Sequence, residues 1–144
     1  MGKRRSSREL AVRFLYLCEM NTGEWREQLD QYWERNPCQP DICSFTENLL
    51  EQIFDNKKEI DQLIEKFSDN FTLSRMGIID RNILRLAVSE ILYFKQAPPA
   101  VVINEAVEIA KRYGSDESPG FINAVLDKIR AELKDGPVPS PQSP

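Results

Sequence analysis

The sequence predicts an all-α fold, and three observations support that class. Apolar residues recur at the spacing of helix turns along most of the 144 residues. The alternation of apolar and polar residues that marks strands is nearly absent. Prolines and glycines fall mostly between the periodic stretches, where they punctuate helices. About seven short helices follow, with connections of about 2–8 residues, as in helical bundles.

Four helices are predicted in the first half of the chain. Ser6 and Glu9 fit a capping box, so the first helix is expected from about Ser7 to Met20. Its expected core positions include Leu10, Phe14 and Leu17. The next three helices are expected at Glu24 to Arg35, Ile42 to Phe54 and Lys57 to Phe67. Pro40 predicts that Cys38 to Asp41 is a loop.

Three further helices are predicted in the second half. The stretch from Ile79 to Phe94 is the most apolar, which predicts a central position in the bundle. Pro98 and Pro99 start the next helix, which runs to Tyr113 and ends at Gly114 as a C-terminal cap. Ser118 as N-cap and Pro119 in the first turn predict a last helix to about Leu133. Its core line is Ile122, Leu126, Ile129 and Leu133.

The domain organisation follows from the connections. Residues 1–135 are expected to form one helical domain, made of two packed sub-bundles at about 1–72 and 73–135. The boundary is expected in the loop from Thr72 to Gly77, and neither half is expected to fold well alone. Residues 136–144 contain four of the nine prolines and are expected to be a disordered tail.

Composition argues against several classes of protein. No apolar run approaches the roughly 20 residues that span a bilayer, so a cytoplasmic protein is expected and no membrane partner. The chain has no histidine, which removes the commonest general base and a frequent zinc ligand. Three cysteines are an odd number for a closed disulfide framework. Phosphate-loop and nucleophile signatures are missing, so we expect no enzyme, no metal and no cofactor.

The net charge of −4 conceals an asymmetry along the chain. Residues 1–16 carry five basic side chains and one acidic side chain, a net charge of +4. The other 128 residues carry 14 basic and 22 acidic side chains, a net charge of −8. A basic end on an acidic body indicates a localised contact with a polyanion.

The first helix carries this basic segment on one stripe. At 100° per residue, Arg5, Glu9, Arg13 and Tyr16 share a face, and Arg8 flanks it. Arginine holds phosphate oxygens, and an aromatic ring such as Tyr16 offers a stacking surface for an unpaired base. The alternative is a solvated helix face in which Glu9 and Arg13 form an ordinary i,i+4 pair.

A second candidate patch lies at the start of the last helix. Phe121 falls off the core line there, on the same flank as Lys128. The free N–H groups and the dipole of the first turn favour an anion, and Gly120 would let a phosphate approach closely. The alternative is that Phe121 is an ordinary residue at the edge of the core.

Glu90 is a carboxylate on the apolar face of the most apolar helix. Such a group suggests acid–base chemistry only when nothing pairs with it. A structural role is favoured, with Glu90 paired to Arg85 or capping the helix after Pro99, because a buried carboxylate needs such partners.

Three blocks of sequence resemble the NusB family of bacterial transcription antitermination factors. They are KRRSSRELAVRFLY (residues 3–16), IDRNILRLAVSEIL (79–92) and VINEAVEIAKRYGSDESPGFINAVLDKI (102–129). They cover about 56 residues in the family's order, and the last block is the most specific. The resemblance implies an all-α fold of two small bundles, and binding of boxA-type RNA together with the ribosomal protein NusE. It also implies assembly with other Nus factors on RNA polymerase.

The resemblance also implies roles for individual residues. Arg4, Arg5 and Arg8 match an arginine-rich RNA-binding motif, and Tyr16 and Phe121 match aromatic positions at the RNA surface. Gly120 departs from the family, since many relatives have a basic residue there. The predicted RNA-binding residues are Lys3, Arg4, Arg5, Arg8, Arg13, Tyr16, Gly120, Phe121 and Lys128. Asp80 and Glu117 are placed at the boundary between RNA and partner.

The function predicted by these observations is transcription antitermination through boxA-type single-stranded RNA in nascent, mainly ribosomal, transcripts. The alternative is an all-helical protein-interaction adapter, with the RNA held mainly by its partner. The sequence leaves open whether the free protein is a monomer or a homodimer.

Overall fold

The computed structural model describes residues 2–69 and 71–135, and within them the all-α prediction is confirmed: no strand is present. The predicted tail at 136–144 lies outside the described residues. The seven α-helices are α1 (Lys3–Met20), α2 (Trp25–Arg35), α3 (Pro40–Asp55), α4 (Lys57–Phe67), α5 (Ile78–Ser89), α6 (Pro99–Tyr113) and α7 (Ser118–Asp135). None of these helices is long and apolar enough to cross a membrane.

Helix α1 begins four residues before the predicted start, so the predicted capping box is wrong. Ser6 lies inside the helix, and its N–H donates to the carbonyl of Gly2, the N-cap residue. Ser7 is fully buried, and its hydroxyl donates to the carbonyl of Ile42 at 3.2 Å. Ser7, which the sequence places at the start of the helix, therefore lies inside α1 and contacts α3.

The segment predicted as a loop from Cys38 to Asp41 is half helical. Pro40 occupies the first position of α3, where its missing N–H costs no hydrogen bond. Cys38 and Cys43 are paired as a disulfide across this helix start, with their Cα atoms 6.2 Å apart. Cys18 is the one cysteine left free. The odd number of cysteines therefore did not prevent a single local pair.

Helix α5 is central, as its apolar character predicts. It packs against α1, α3, α4, α6 and α7. The predicted helix to Phe94 changes geometry at Glu90, because residues Glu90–Phe94 form a π-helical turn. Lys95 then adopts a left-handed backbone conformation (φ 48°), which ends the turn and leads to Pro98 and Pro99.

The turn between α6 and α7 depends on close packing at Gly114. Gly114 is the C-cap of α6 with an extended backbone, and its N–H donates to the carbonyl of Ala110 at 2.9 Å. A Cβ atom at this position would lie 2.5 Å from the Ser118 hydroxyl. That hydroxyl accepts a hydrogen bond from the N–H of Ser115, before α7, so Ser118 closes the turn and starts α7 itself.

One continuous cluster of buried side chains connects all seven helices. The predicted core line of α7 is confirmed, since Ile122, Leu126 and Ile129 are fully buried and Leu133 packs against the cluster. In α1 the prediction for Leu17 is wrong, because this side chain is 40% exposed. Helix α4 packs against α5 and α7 as well as against α3.

Candidate nucleic-acid interface

Polar side chains bridge α1 and α6 at successive positions along both helices. Arg5 donates two hydrogen bonds to Glu105, at 2.9 and 2.7 Å. Two turns further along, Arg13 donates to the Tyr113 hydroxyl at 2.9 Å. The predicted basic stripe of α1 therefore lies beside α6, and its charges are partly compensated there.

Arg8 differs from its neighbours because it is buried. Its guanidinium donates to both carboxylate oxygens of Glu90, at 2.7 and 2.8 Å, and both side chains are almost inaccessible to solvent. The Nη1 atom of Arg8 also lies 3.8 Å from the Oε1 atom of Glu105. Arg8 was predicted to contact RNA, but in this structure it forms a buried ion pair beneath the surface.

The pairing of Glu90 was predicted with the wrong partner. Its structural role is confirmed, but Arg8 is the partner rather than Arg85. Arg85 instead donates to Asp61 at 2.8 Å and to Glu19 at 3.1 Å. The correct partner is more than 80 positions away in the sequence, so helical spacing gave no indication of it.

Lys3 and Arg4 form the exposed beginning of α1. Lys3 pairs with Asp41 at 2.6 Å on the exposed surface, where such a pair is weak. The Arg4 guanidinium lies over the Phe45 ring, 3.8 Å from its centroid. Stacking on Phe45 orients the guanidinium and leaves its N–H groups able to meet a phosphate.

A relay of polar groups connects the middle of α1 to the end of α6. Glu9 is buried, and it accepts hydrogen bonds from the Tyr113 hydroxyl at 3.0 Å and from Arg112 at 3.1 Å. Arg13 completes the relay through the same hydroxyl. The ordinary Glu9–Arg13 pair considered from the sequence is therefore replaced by a bridge through Tyr113.

Two adjoining grooves connect the end of α1 with the start of α7. The first is lined by Tyr16, Asp80 and residues of the α6–α7 turn. The second is lined by Phe71, Arg75, Glu117, Phe121 and again Asp80. Gly77, Asp80 and Ser115 belong to both. The structure therefore brings Tyr16, Asp80, Glu117 and Phe121 into one surface, although more than 100 residues separate the first from the last.

The other two predicted residues of α7 lie on its exposed side. At Gly120 a Cβ atom would meet nothing within 4 Å, so the backbone there is open to a ligand. Lys128 pairs with Asp69 at 2.9 Å on the surface. Both positions are accessible, and Lys128 lies beyond the second groove toward α4.

Several residues of this surface were not predicted. Phe71 contacts Phe121 edge-on, with ring centroids 5.7 Å apart, and it is 51% exposed. Arg75, Arg112 and Tyr113 also belong to the surface or its support. Phe71 and Arg75 lie in the short polar connection between α4 and α5. Helical periodicity predicts nothing about residues in such a connection.

Two groups near this surface have shifted pKa values, Glu105 and Cys18. Hydrogen bonds from Arg5 lower the pKa of Glu105 below its ordinary value of 4.5, so it stays ionised at neutral pH. Burial raises the pKa of the Cys18 thiol to about 11, which makes it a poor nucleophile. Among the described residues, no group of three or more cysteines and carboxylates is arranged to hold a metal ion.

Comparisons with known proteins give a consistent result. The NusB family model matches residues 5–131. A transcription antitermination protein NusB of Thermodesulfovibrio yellowstonii is 44% identical over 140 residues, covering 90% of this chain and 93% of that protein. A protein of the same name from Myxococcus xanthus is also 44% identical, covering 92% of this chain and 98% of the relative.

Solved structures agree with the sequence relatives. A crystal structure of antitermination factors NusB and NusE in complex with double-stranded RNA has a chain that superposes with a TM-score of 0.82 at 28% identity, covering 92% of this chain and 98% of that chain. NusB of T. maritima superposes with a TM-score of 0.83 at 32% identity, covering 92% of each chain. The agreement extends over nearly the whole sequence, and this chain belongs to the NusB family.

Proposed function

We propose that this protein is a transcription antitermination factor that binds boxA-type single-stranded RNA together with the ribosomal protein NusE. One observation carries the proposal: Tyr16 of α1 and Phe121 of α7 line two adjoining grooves that share Asp80. Arg13 of the basic face reaches the first groove through its hydrogen bond to Tyr113. The relatives are named as transcription antitermination proteins, and one similar structure contains NusB, NusE and RNA. Other Nus factors and RNA polymerase are then indirect partners.

The exposed cations serve as the phosphate contacts of this surface. Lys3, Arg4 and Arg13 are exposed, and Lys128 extends the same function to α7. Arg5 is half-buried and held by Glu105, so it presents only part of its guanidinium. Arg8 acts as a positioning residue, since its pair with Glu90 holds the first turns of α1 against the π-helical turn after α5.

The aromatic side chains serve as stacking surfaces for unpaired bases. Tyr16 is 37% exposed at one end of the joined grooves, and Phe121 lies in the second groove. Asp80 and Glu117 line the second groove and accept hydrogen bonds from N–H groups on base edges. A carboxylate repels phosphate, so these two residues orient the strand with its bases inward.

This mode of action needs no catalysis and no cofactor, because the protein works by binding. We place it in the cytoplasm, where transcripts of bacteria are made, and assign it no enzymatic activity. The described surface provides cations, rings and hydrogen-bond acceptors, which are the groups that recognise single-stranded RNA.

The test is a gel-shift titration of a boxA-type RNA against the same nucleotides in scrambled order, with and without NusE. We expect tighter binding to boxA-type RNA and further tightening with NusE. The logarithm of the binding constant falls linearly with the logarithm of the salt concentration. The triple variant Lys3→Gln, Arg4→Gln, Arg13→Gln is expected to reduce the steepness of this fall by about 2, at ~0.7 per phosphate contact. Arg35→Gln on α2 is the matched control. Equal binding of both RNA sequences would refute specific recognition.

A second candidate function is an adapter that contacts NusE while the partner holds the RNA. One observation favours it: Arg5, Arg8 and Arg13 already have partners within the protein, at Glu105, Glu90 and Tyr113. The triple variant distinguishes the two functions. If RNA binding by the assembled pair is unchanged while NusE binding is intact, the adapter function is correct.

A further inference from the structure

We propose that Phe71 and Arg75 complete the RNA-binding surface as a second base-stacking position, with Phe71 receiving the base next to the one on Phe121. The inference rests on the proposed function and adds two residues to its site. The occupant is one unpaired nucleotide, with its base on the Phe71 ring and its phosphate on Arg75.

The exposure of Phe71 is the first observation. Among the described residues only two aromatic side chains count as exposed large hydrophobic groups, Tyr16 and Phe71. They lie in the two adjoining grooves that share Asp80. Leaving half of a phenyl ring in water forgoes hydrophobic stabilisation, so this arrangement favours a ligand that covers it.

The geometry of the two rings is the second observation. Phe71 and Phe121 meet edge-on with an interplanar angle of 72° and centroids 5.7 Å apart. In such a contact the edge of one ring covers at most one face of the other. Each ring keeps a face for a separate base, and a single-stranded RNA supplies successive bases that rotate freely about its backbone.

The backbone that presents Phe71 is held by hydrogen bonds on both sides. The buried Ser68 hydroxyl donates to the Phe71 carbonyl at 2.9 Å. On the other side, Glu65 accepts from the N–H of Leu73 at 2.8 Å. Arg81 donates to the carbonyls of Leu73 and Met76 at 3.2 and 3.0 Å. The ring is thus presented in advance, which reduces the entropy lost on binding.

Arg75 supplies the charge that this position needs. It is exposed, lies in the 3-10 turn Leu73–Arg75, and lines the groove with Phe71 and Phe121. In the described part of the chain, no carboxylate is placed within ion-pair distance of its guanidinium. Asp80 and Glu117 line the same groove, so the cation favours the phosphate and the carboxylates favour base N–H groups.

The experiment measures the affinity of a fluorescein-labelled boxA-type RNA for the full-length protein bound to NusE. Phe71→Ala is expected to weaken binding about 5- to 100-fold, whereas Phe71→Trp stays close to wild type because it keeps an aromatic face. Phe71→Leu is expected to resemble alanine, which separates stacking from plain apolar contact. Arg75→Gln is expected to reduce the steepness of the fall with salt by about 0.7, and Arg35→Gln leaves it unchanged.

A second readout locates the base directly. Uridines of the RNA are replaced one at a time by 5-iodouridine, irradiated in the complex, and the crosslinked peptide is sequenced. A crosslink at Phe71 from the nucleotide adjacent to the one that crosslinks near Phe121 supports the inference. No crosslink at Phe71 from any position, together with unchanged affinity of Phe71→Ala, overturns it.

The controls distinguish the possible failures. Wild-type binding with loss in Tyr16→Ala but none in Phe71→Ala overturns this inference and leaves the proposed function intact. Absence of sequence-specific RNA binding by the wild type overturns the proposed function itself. If Phe71→Ala weakens NusE binding and not RNA binding, the ring is a protein contact and the inference is wrong. A circular dichroism melt confirms that each variant is folded.

Discussion

At the scale of single residues, the basic side chains at the start of α1 have different physical roles although they are chemically similar. Lys3 and Arg4 are exposed, Arg5 is half-buried against Glu105, and Arg8 is buried against Glu90. Burial raises the cost of a charge, and Glu90 compensates it through two hydrogen bonds. Neighbouring basic residues of one segment therefore differ: the buried Arg8 contributes to the fold, whereas Lys3 and Arg4 stay exposed.

The burial of Arg8 predicts a large effect on stability. Arg8→Ala leaves the Glu90 carboxylate buried without its main partner, which is expected to lower the free energy of unfolding by about 3–5 kcal/mol. Arg4→Ala removes only the contact with Phe45 and is expected to cost less than about 1 kcal/mol. Urea denaturation measures both. Equal destabilisation by the two variants would contradict the difference in burial.

Replacing either of the two glycines around the α6–α7 turn by alanine is expected to change stability, in opposite directions. Gly114→Ala places a Cβ atom 2.5 Å from the Ser118 hydroxyl and 3.0 Å from the Ala110 carbonyl oxygen, and is expected to cost about 1–3 kcal/mol. Gly120→Ala meets nothing within 4 Å in the first turn of α7. It is expected to stabilise by about 0.4–1 kcal/mol. Thermal denaturation of the matched pair tests the sign of each effect.

At the scale of elements, a polar network holds α1 to the centre of the bundle. Glu19 at the end of α1 accepts hydrogen bonds from Arg81 and Arg85 of α5, and also from Asn82 at 2.8 Å. Arg85 continues the network to Asp61 of α4. Together with the Arg5–Glu105 pair, it fastens both ends of α1 to other helices.

These pairs predict loss of stability in acid. Burial raises the pKa of Glu19, but hydrogen bonds from Arg81 and Asn82 outweigh burial and lower it below 4.5. Hydrogen bonds from Arg5 lower the pKa of Glu105 in the same direction. The folded state therefore binds fewer protons than the unfolded state near and below pH 4.5. The stabilisation is complete above that pH and is lost as the pH falls through the lowered values.

Urea denaturation between about pH 7 and pH 3 measures this dependence. Glu19→Gln is expected to be less stable than wild type at neutral pH, and its stability should fall less steeply in acid. Glu108→Gln, which removes only a surface pair with Lys111, is the control and should follow the wild type. A Glu19→Gln profile parallel to the wild-type profile would show that the network does not govern the acid transition.

At the scale of the whole molecule, one continuous core predicts cooperative unfolding. Both tryptophans lie in α2, so fluorescence reports the first half of the chain, whereas far-ultraviolet circular dichroism reports all seven helices. We expect the two signals to give the same urea midpoint, because α5 packs against helices from both halves. Separate midpoints would mean that the sub-bundles predicted at 1–72 and 73–135 unfold independently.

Much of the fold follows from the sequence alone, and the reasons are local. Helix α4 was predicted at the bounds found, Lys57–Phe67, because its apolar spacing and flanking polar residues are unambiguous. The predicted starts of α1 and α3 were wrong. A serine such as Ser7 can lie at a helix boundary or inside a helix, and a proline such as Pro40 can lie in a loop or in the first turn of a helix. Packing against another helix decides between them, and a single segment carries no information about it.

The candidate surface was predictable only in part. Tyr16 and Phe121 were selected by resemblance and by their positions off the core, and the structure brings them to adjoining grooves. Phe71 was not predicted because an aromatic side chain is usually buried against the core. The burial of Arg8 was missed because helical spacing cannot show that Glu90 faces it across the core.

Helical class, the approximate bounds of most helices and the family of the protein can all be predicted from the amino-acid sequence. Those properties depend on spacing, caps and motif order, all of which are local. In contrast, the packing of the helices is needed to show which arginine is buried, which aromatic rings are exposed, and that the end of α1 and the start of α7 share one surface. Those properties depend on contacts between residues up to 104 positions apart, such as Glu9 and Tyr113, and these exist only once the helices are packed.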